Sequence, residues 1–163
     1  IEDDLKNLLE FQIQQSQKPD KLKASVINLM TYFKEKDSDV FGELNDVLDN
    51  LNLGKEADAA RAIVVSVETT LKRIAEEEFN EWFLKFSKPE KINLWNLIEK
   101  FKSAGIFNEE DYQLASICAP FRNNKSHKAG VEYSTPYNVK MLHVHAGLML
   151  LDKCVEVQLS KVN

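Results

Sequence analysis

Apolar side chains return every three or four residues along most of this chain, and no stretch shows the two-residue alternation of a half-buried strand. Each stripe of that kind covers one face of a helix and has to be buried against other helices, which restricts the fold to the all-α class. Leu5, Leu8, Leu9 and Ile13 mark a first helix over residues 2–17. Pro19-Asp20 opens a second, with Leu22, Val26, Leu29, Met30 and Phe33 inward. A third, over residues 39–53, carries Phe41, Leu44, Val47, Leu48 and Leu51 and stops at Gly54, a residue able to take the left-handed conformation of a helix end.

The longest helix is expected over residues 56–86. Ala60, Ile63, Val64, Val67, Leu71, Ile74 and Ala75 form its apolar face, and Arg61, Glu68, Lys72, Arg73 and Glu76–Glu78 its polar one. Lys88-Pro89 ends it. Residues 90–104 form another amphipathic helix, with Leu94, Leu97, Ile98 and Phe101, closed by Gly105. Asn108 caps the next, whose first turn holds Glu109, Glu110 and Asp111 where the helix dipole favours acids. Pro120 lacks an N–H, so that helix is expected to end or kink just before Arg122. Residues 130–136 read as loop. The last helix, over residues 137–159, is apolar around much of its circumference, and so is either central to the core or shared with a second subunit. The internal boundary falls at Leu53-Gly54-Lys55, dividing accessory N-terminal helices (1–54) from a helical bundle (55–163).

Composition narrows the function. The longest apolar run, Gly147–Leu151, is far short of the roughly 20 residues that span a bilayer, so no membrane partner is expected. The two cysteines, Cys118 and Cys154, each lie in an apolar helical pattern and read as buried thiols, which points to a reducing cytoplasm. The chain opens on Ile1 without a methionine, as a piece of a longer protein would. No phosphate-binding glycine loop, metal-ligand spacing or nucleophile elbow is present, so no metal or other cofactor is expected. His143 and His145, two apart on a helix, point about 200° from each other and cannot chelate one ion; they read as core or edge histidines. Trp82, Phe83 and Trp95 fit helix packing, and Glu76–Glu78 a solvated face.

The net charge of −5 argues against bulk binding along a nucleic-acid backbone, but it is unevenly spread. Residues 1–60 hold 13 acids against 7 bases, a net of −6, and residues 61–163 hold 13 against 14, a net of +1. From Tyr112 to Val131 there is no acid, and Arg122, Lys125 and Lys128 fall within that stretch. Its centre is Phe121-Arg-Asn-Asn-Lys-Ser-His-Lys-Ala-Gly130. Arg122 can clamp a phosphate with two parallel hydrogen bonds, and His127 can give or take a proton near neutral pH. Asn123 could orient the histidine or bond to a nucleotide, with Lys125, Ser126 and Lys128 as further substrate-binding candidates. On one helix the two key residues lie about 140° apart and about 7.5 Å along the axis, though long side chains could still converge around a cleft; a two-fold dimer can instead bring the arginine of one subunit to the histidine of the other. The plain alternative is that both cap helix ends, with Arg122 in an ion pair, for example with Asp111.

The order of elements and the motif together give a resemblance. A long helix with ARAIVVSVETTLKRIAEEEF, then LWNLIEKFKSAGIFNEEDYQLASICAPFRNNKSH, then a closing hydrophobic helix, resembles the HEPN superfamily (higher eukaryote and prokaryote nucleotide-binding domains) over about 105 residues. That family's signature is an arginine, four to six residues, then a histidine, commonly with asparagine after the arginine; Arg122, Asn123 and His127 match it. The resemblance implies a dimerising HEPN-like bundle with the two motifs facing each other. It also implies metal-independent endoribonuclease activity, often in toxin–antitoxin or phage-defence systems. There the ribose 2′-hydroxyl attacks the adjacent phosphate, with Arg122 stabilising charge and His127 in the acid/base role; the partners implied are RNA, a second copy of the chain and a protein antitoxin or regulator. Other members are non-catalytic modules for dimerisation, nucleotide binding or partner binding. One toxin branch carries a modifiable tyrosine two residues after the histidine. Ala129 stands there, so that control mechanism does not carry over.

Overall fold

In the computed structural model, residues 3, 6, 7, 19–122 and 137–161 are described, and among them every regular element is helical. The expected helix over residues 2–17 therefore lies outside the described residues except at three positions. Seven α-helices follow in order: α1 (Pro19–Phe33), α2 (Ser38–Asn52), α3 (Glu56–Glu78), α4 (Asn80–Leu84), α5 (Leu94–Ser103), α6 (Glu109–Cys118) and α7 (Tyr137–Ser160). Short 3-10 turns at Pro89–Lys91 and Ala119–Phe121 precede α5 and follow α6.

Local chemistry sets most of these boundaries. Asp37 caps α2 by accepting from the N–H groups of Asp39 and Val40. Asn93 and Asn108 each close a reciprocal capping box, with Asn96 and Asp111 respectively. Because Asn93 captures the first turn, α5 starts at Leu94 rather than at residue 90. Helices α2 and α5 both end in the same arrangement. Gly54 (φ +71°) and Gly105 (φ +80°) are left-handed, and the N–H groups of Lys55 and Ile106 reach back to the carbonyls of Asn50 and Phe101.

One expected helix is two. The run over residues 56–86 breaks at Phe79 (φ −127°, ψ 44°), and α4 restarts at Asn80. Glu76, Glu77 and Glu78 crowd the negative end of the α3 dipole and weaken continuation there. Asn80 Nδ2 takes the freed Glu76 carbonyl at 3.2 Å, and the Phe79 ring turns inward to meet Phe101 edge-on at 5.5 Å. The Glu76–Glu78 side chains are solvent-exposed, as their run of charge suggests.

Helix α3 is the axis of the molecule, packing against α2 on one side and α7 on the other; α1 packs on α2 and touches α7. Buried residues from α1 through α7 form a single cluster, so Leu22, Val26 and Phe33 share a core with Ile63, Leu71, Phe101 and Leu151. The all-round apolar character of α7 is accounted for inside one subunit: α3, α6 and α1 surround it, and Met141, Val144, Leu148, Leu151 and Cys154 are buried. At the α3–α7 crossing Gly147 lies so close to Ile63 that a Cβ would come within 2.6 Å of Ile63 Cγ1.

Candidate functional site

Helix α6 delivers the chain to Arg122. Its last turn tightens at Pro120 into the 3-10 segment, and the Arg122 N–H bonds to the Ala119 carbonyl at 3.0 Å. This is the helix end that Pro120 foretold. Behind it, Phe121 lies against the His143 ring of α7 with centroids 4.1 Å apart. His143 Nδ1 is 2.6 Å from the Ile117 carbonyl, so that nitrogen carries the proton and donates, and the Cys118 thiol donates in turn to the His143 carbonyl at 3.6 Å. The segment leading to Arg122 is thereby held to His143 of α7 by three contacts, from Ile117, Cys118 and Phe121.

The Arg122 side chain points the other way, to α3. Its Nε donates to Glu68 Oε2, while Lys72 Nζ sits 3.5 Å from the other oxygen, Glu68 Oε1. The Glu68 side chain is 8% exposed and that of Arg122 is 41% exposed. An ionised carboxylate so buried is tolerable only because it is paired, and two cations on one anion leave the cluster with a net positive charge. Asp111 is not the partner. It serves the Asn108 capping box and faces Lys153 Nζ at 3.6 Å.

Glu68 is the residue that sequence reasoning misplaced, having been set on the polar face of the long helix. It is buried. The signal was present in its spacing, four residues after Val64 and three before Leu71, which puts it on the apolar face. The remaining motif residues, Asn123, Lys125, Ser126, His127 and Lys128, lie outside the described residues. The site is thus defined on its Arg122 side.

The two described histidines behave as packing residues. Burial pushes His143 down to about 4, against the opposing effect of its bond to Ile117 and with a small contribution from Lys6, and burial likewise lowers His145. Both are neutral at physiological pH and neither is poised for proton transfer there. Cys118 and Cys154 are buried free thiols; burial raises both, Cys154 to about 12. No group of three or more potential metal ligands occurs among the described residues. Two open cavities of about 580 and 550 Å³ flank α2 and α3 around Arg73 and are not lined by Arg122. The second contains Glu43, whose carboxyl accepts from Thr69 Oγ1 at 2.9 Å and is pushed up to about 7, chiefly by burial. Among the described residues, no helix is long and apolar enough to cross a membrane. No family model, curated protein or solved structure matches the chain.

Proposed function

We propose that this chain is a metal-independent endoribonuclease of HEPN type, cytoplasmic and dimeric, with Arg122 and His127 as its catalytic pair. The observation that carries the reading is the state of Arg122. A buried carboxylate fixes its guanidinium through Nε, yet two-fifths of the side chain stays open to solvent, in the middle of the acid-free stretch from Tyr112 to Val131. A cation held in place before substrate arrives is what charge stabilisation of a phosphorane-like transition state requires. In the reaction, a His127 imidazole takes the proton of the ribose 2′-hydroxyl as its oxygen bonds to phosphorus. The phosphorus–O5′ bond breaks, and the departing oxygen is protonated by an imidazolium. The products are a 2′,3′-cyclic phosphate and a 5′-hydroxyl, with no change in oxidation state. One His127, set against Arg122 of the second subunit, serves first as base and then, as the imidazolium so formed, as acid, and Asn123, Lys125, Ser126 and Lys128 contact the nucleotide. An activity of this kind is toxic to its host cell unless restrained, which fits a place in toxin–antitoxin or phage-defence systems with a protein regulator as partner.

A second reading is favoured by the same ion pair. If Arg122 serves only to neutralise Glu68, the chain is a non-catalytic HEPN-like module for dimerisation, nucleotide binding or partner binding. Cleavage of single-stranded RNA by the wild type, Arg122→Ala and His127→Ala proteins separates the two. The ribonuclease reading predicts that each substitution lowers the rate by about 10²–10⁴-fold. Equal cleavage by all three, or none by the wild type, supports the module.

A further inference from the structure

We propose that Glu68 is a positioning residue for Arg122, presetting the guanidinium so that its outward edge meets the phosphate. This rests on the reading of Arg122 as the phosphate-binding residue. A guanidinium has five N–H donors in a planar fork. Glu68 engages it through Nε, the base of the fork, which leaves the Nη1–Nη2 edge directed away from the carboxylate. Glu68 itself cannot wander. It stands in the middle of the 23-residue α3, between buried Val67 and Leu71, with its side chain 8% exposed. Lys72, one turn along the same helix, occupies the other carboxylate oxygen at 3.5 Å. The second cation matters because a lone buried carboxylate would compete with a phosphate for Arg122, whereas one already shared with Lys72 leaves the cluster net positive and attractive to an anion. The arrangement therefore holds Arg122 without cancelling it. The opposite possibility is that Glu68 withholds Arg122 from substrate, and it predicts a gain of activity when the carboxylate is removed.

The chain has three arginines, Arg61, Arg73 and Arg122, so the nitrogen-15 NMR spectrum of arginine Nε–Hε groups is simple, and Arg122→Lys assigns the signal concerned. In the wild type the Arg122 Nε–Hε bond is expected to be rigid, with an order parameter of about 0.85, and in Glu68→Gln to fall below about 0.6. Turnover of a short single-stranded RNA by Glu68→Gln should drop on the order of 100-fold in kcat, as a misplaced catalytic group would cause, with KM changed far less. An Arg122 signal equally rigid in both proteins overturns the proposal, and so does faster cleavage by Glu68→Gln. If the wild type cuts no RNA, the ribonuclease reading fails, and the NMR comparison alone decides whether Glu68 positions Arg122. If Glu68→Gln does not fold, the wild-type order parameter decides, a value below about 0.6 counting against the proposal.

Discussion

Glu68 and His143 show two ways in which a polar group can be kept inside a helical core. Glu68 is paired with two cations, so removing one of them leaves it under-compensated rather than bare. Arg122→Ala is expected to cost about 1–2 kcal/mol in denaturant unfolding, below the 3–5 kcal/mol of a fully buried broken pair, because Lys72 remains and Arg122 is half in solvent. His143 stays neutral instead. Its folded value, near 4 against an ordinary 6.5, means that below about pH 6.5 the unfolded chain binds a proton that the native state refuses. Stability from this group is complete above pH 6.5 and drains away as pH falls toward 4. Urea unfolding at pH 7 and pH 4.5 should show the wild type losing on the order of 2 kcal/mol more than His143→Gln over that interval. An identical loss in both proteins would mean that another group governs the acid limb.

At the scale of helices, the crossing of α3 and α7 depends on the missing side chain at Gly147. Alanine is the better helix former by about 1 kcal/mol, but its Cβ would lie 2.6 Å from Ile63 Cγ1 and 2.9 Å from Cγ2. Overpacking of that kind typically costs about 1–3 kcal/mol. Gly147→Ala should therefore lower the melting temperature, and the same substitution should cost less when made in an Ile63→Ala background, where the clashing atoms are gone. The α2–α3 contact carries the opposite pH response to His143. Glu43, raised to about 7 by burial, is protonated in the fold at pH values where the unfolded chain is ionised, so its contribution is present below about pH 4.5 and lost as pH rises through 7. Among the described residues its Oε1 has no hydrogen-bond partner. Glu43→Gln should stabilise at pH 8, by about 1 kcal/mol after screening, and have little effect at about pH 4, below the unfolded value; equal shifts at both pH values would show that the carboxyl is not buried as a neutral group.

Helix positions were legible wherever local chemistry sets them. The Asn108 cap, the Gly54 and Gly105 ends and the stop at Pro120 are written in single residues and their near neighbours, and the apolar stripes of α1, α2 and α5 follow from spacing alone. The break at Phe79 was not, because it depends on the Phe101 ring, distant in sequence, and on a carbonyl taken by Asn80. Glu68 was missed for a related reason. A charged residue is by default assigned to the solvent face, and one of the two cations that account for its burial, Arg122, is 54 positions away.

For the whole molecule, the N-terminal helices and the bundle share one apolar cluster, so α1 and α2 are expected to unfold together with α3 and α7 in a single transition. Helix α7 is covered on several sides within the subunit, which removes its apolar surface as an argument for dimerisation. Under the proposed mechanism the case for a dimer rests on catalytic geometry: Arg122 faces α3, and a second subunit is the proposed source of the arginine that serves His127. A mixing experiment tests this directly. Arg122→Ala and His127→Ala proteins, each nearly inactive alone, are unfolded together, refolded as an equimolar mixture and assayed on single-stranded RNA. If the catalytic pair forms across a two-fold axis, each mixed dimer regains one intact site, and the mixture should recover about a quarter of wild-type activity. Activity no higher than that of the separate variants, with the wild type active and the mixture folded, would contradict the account.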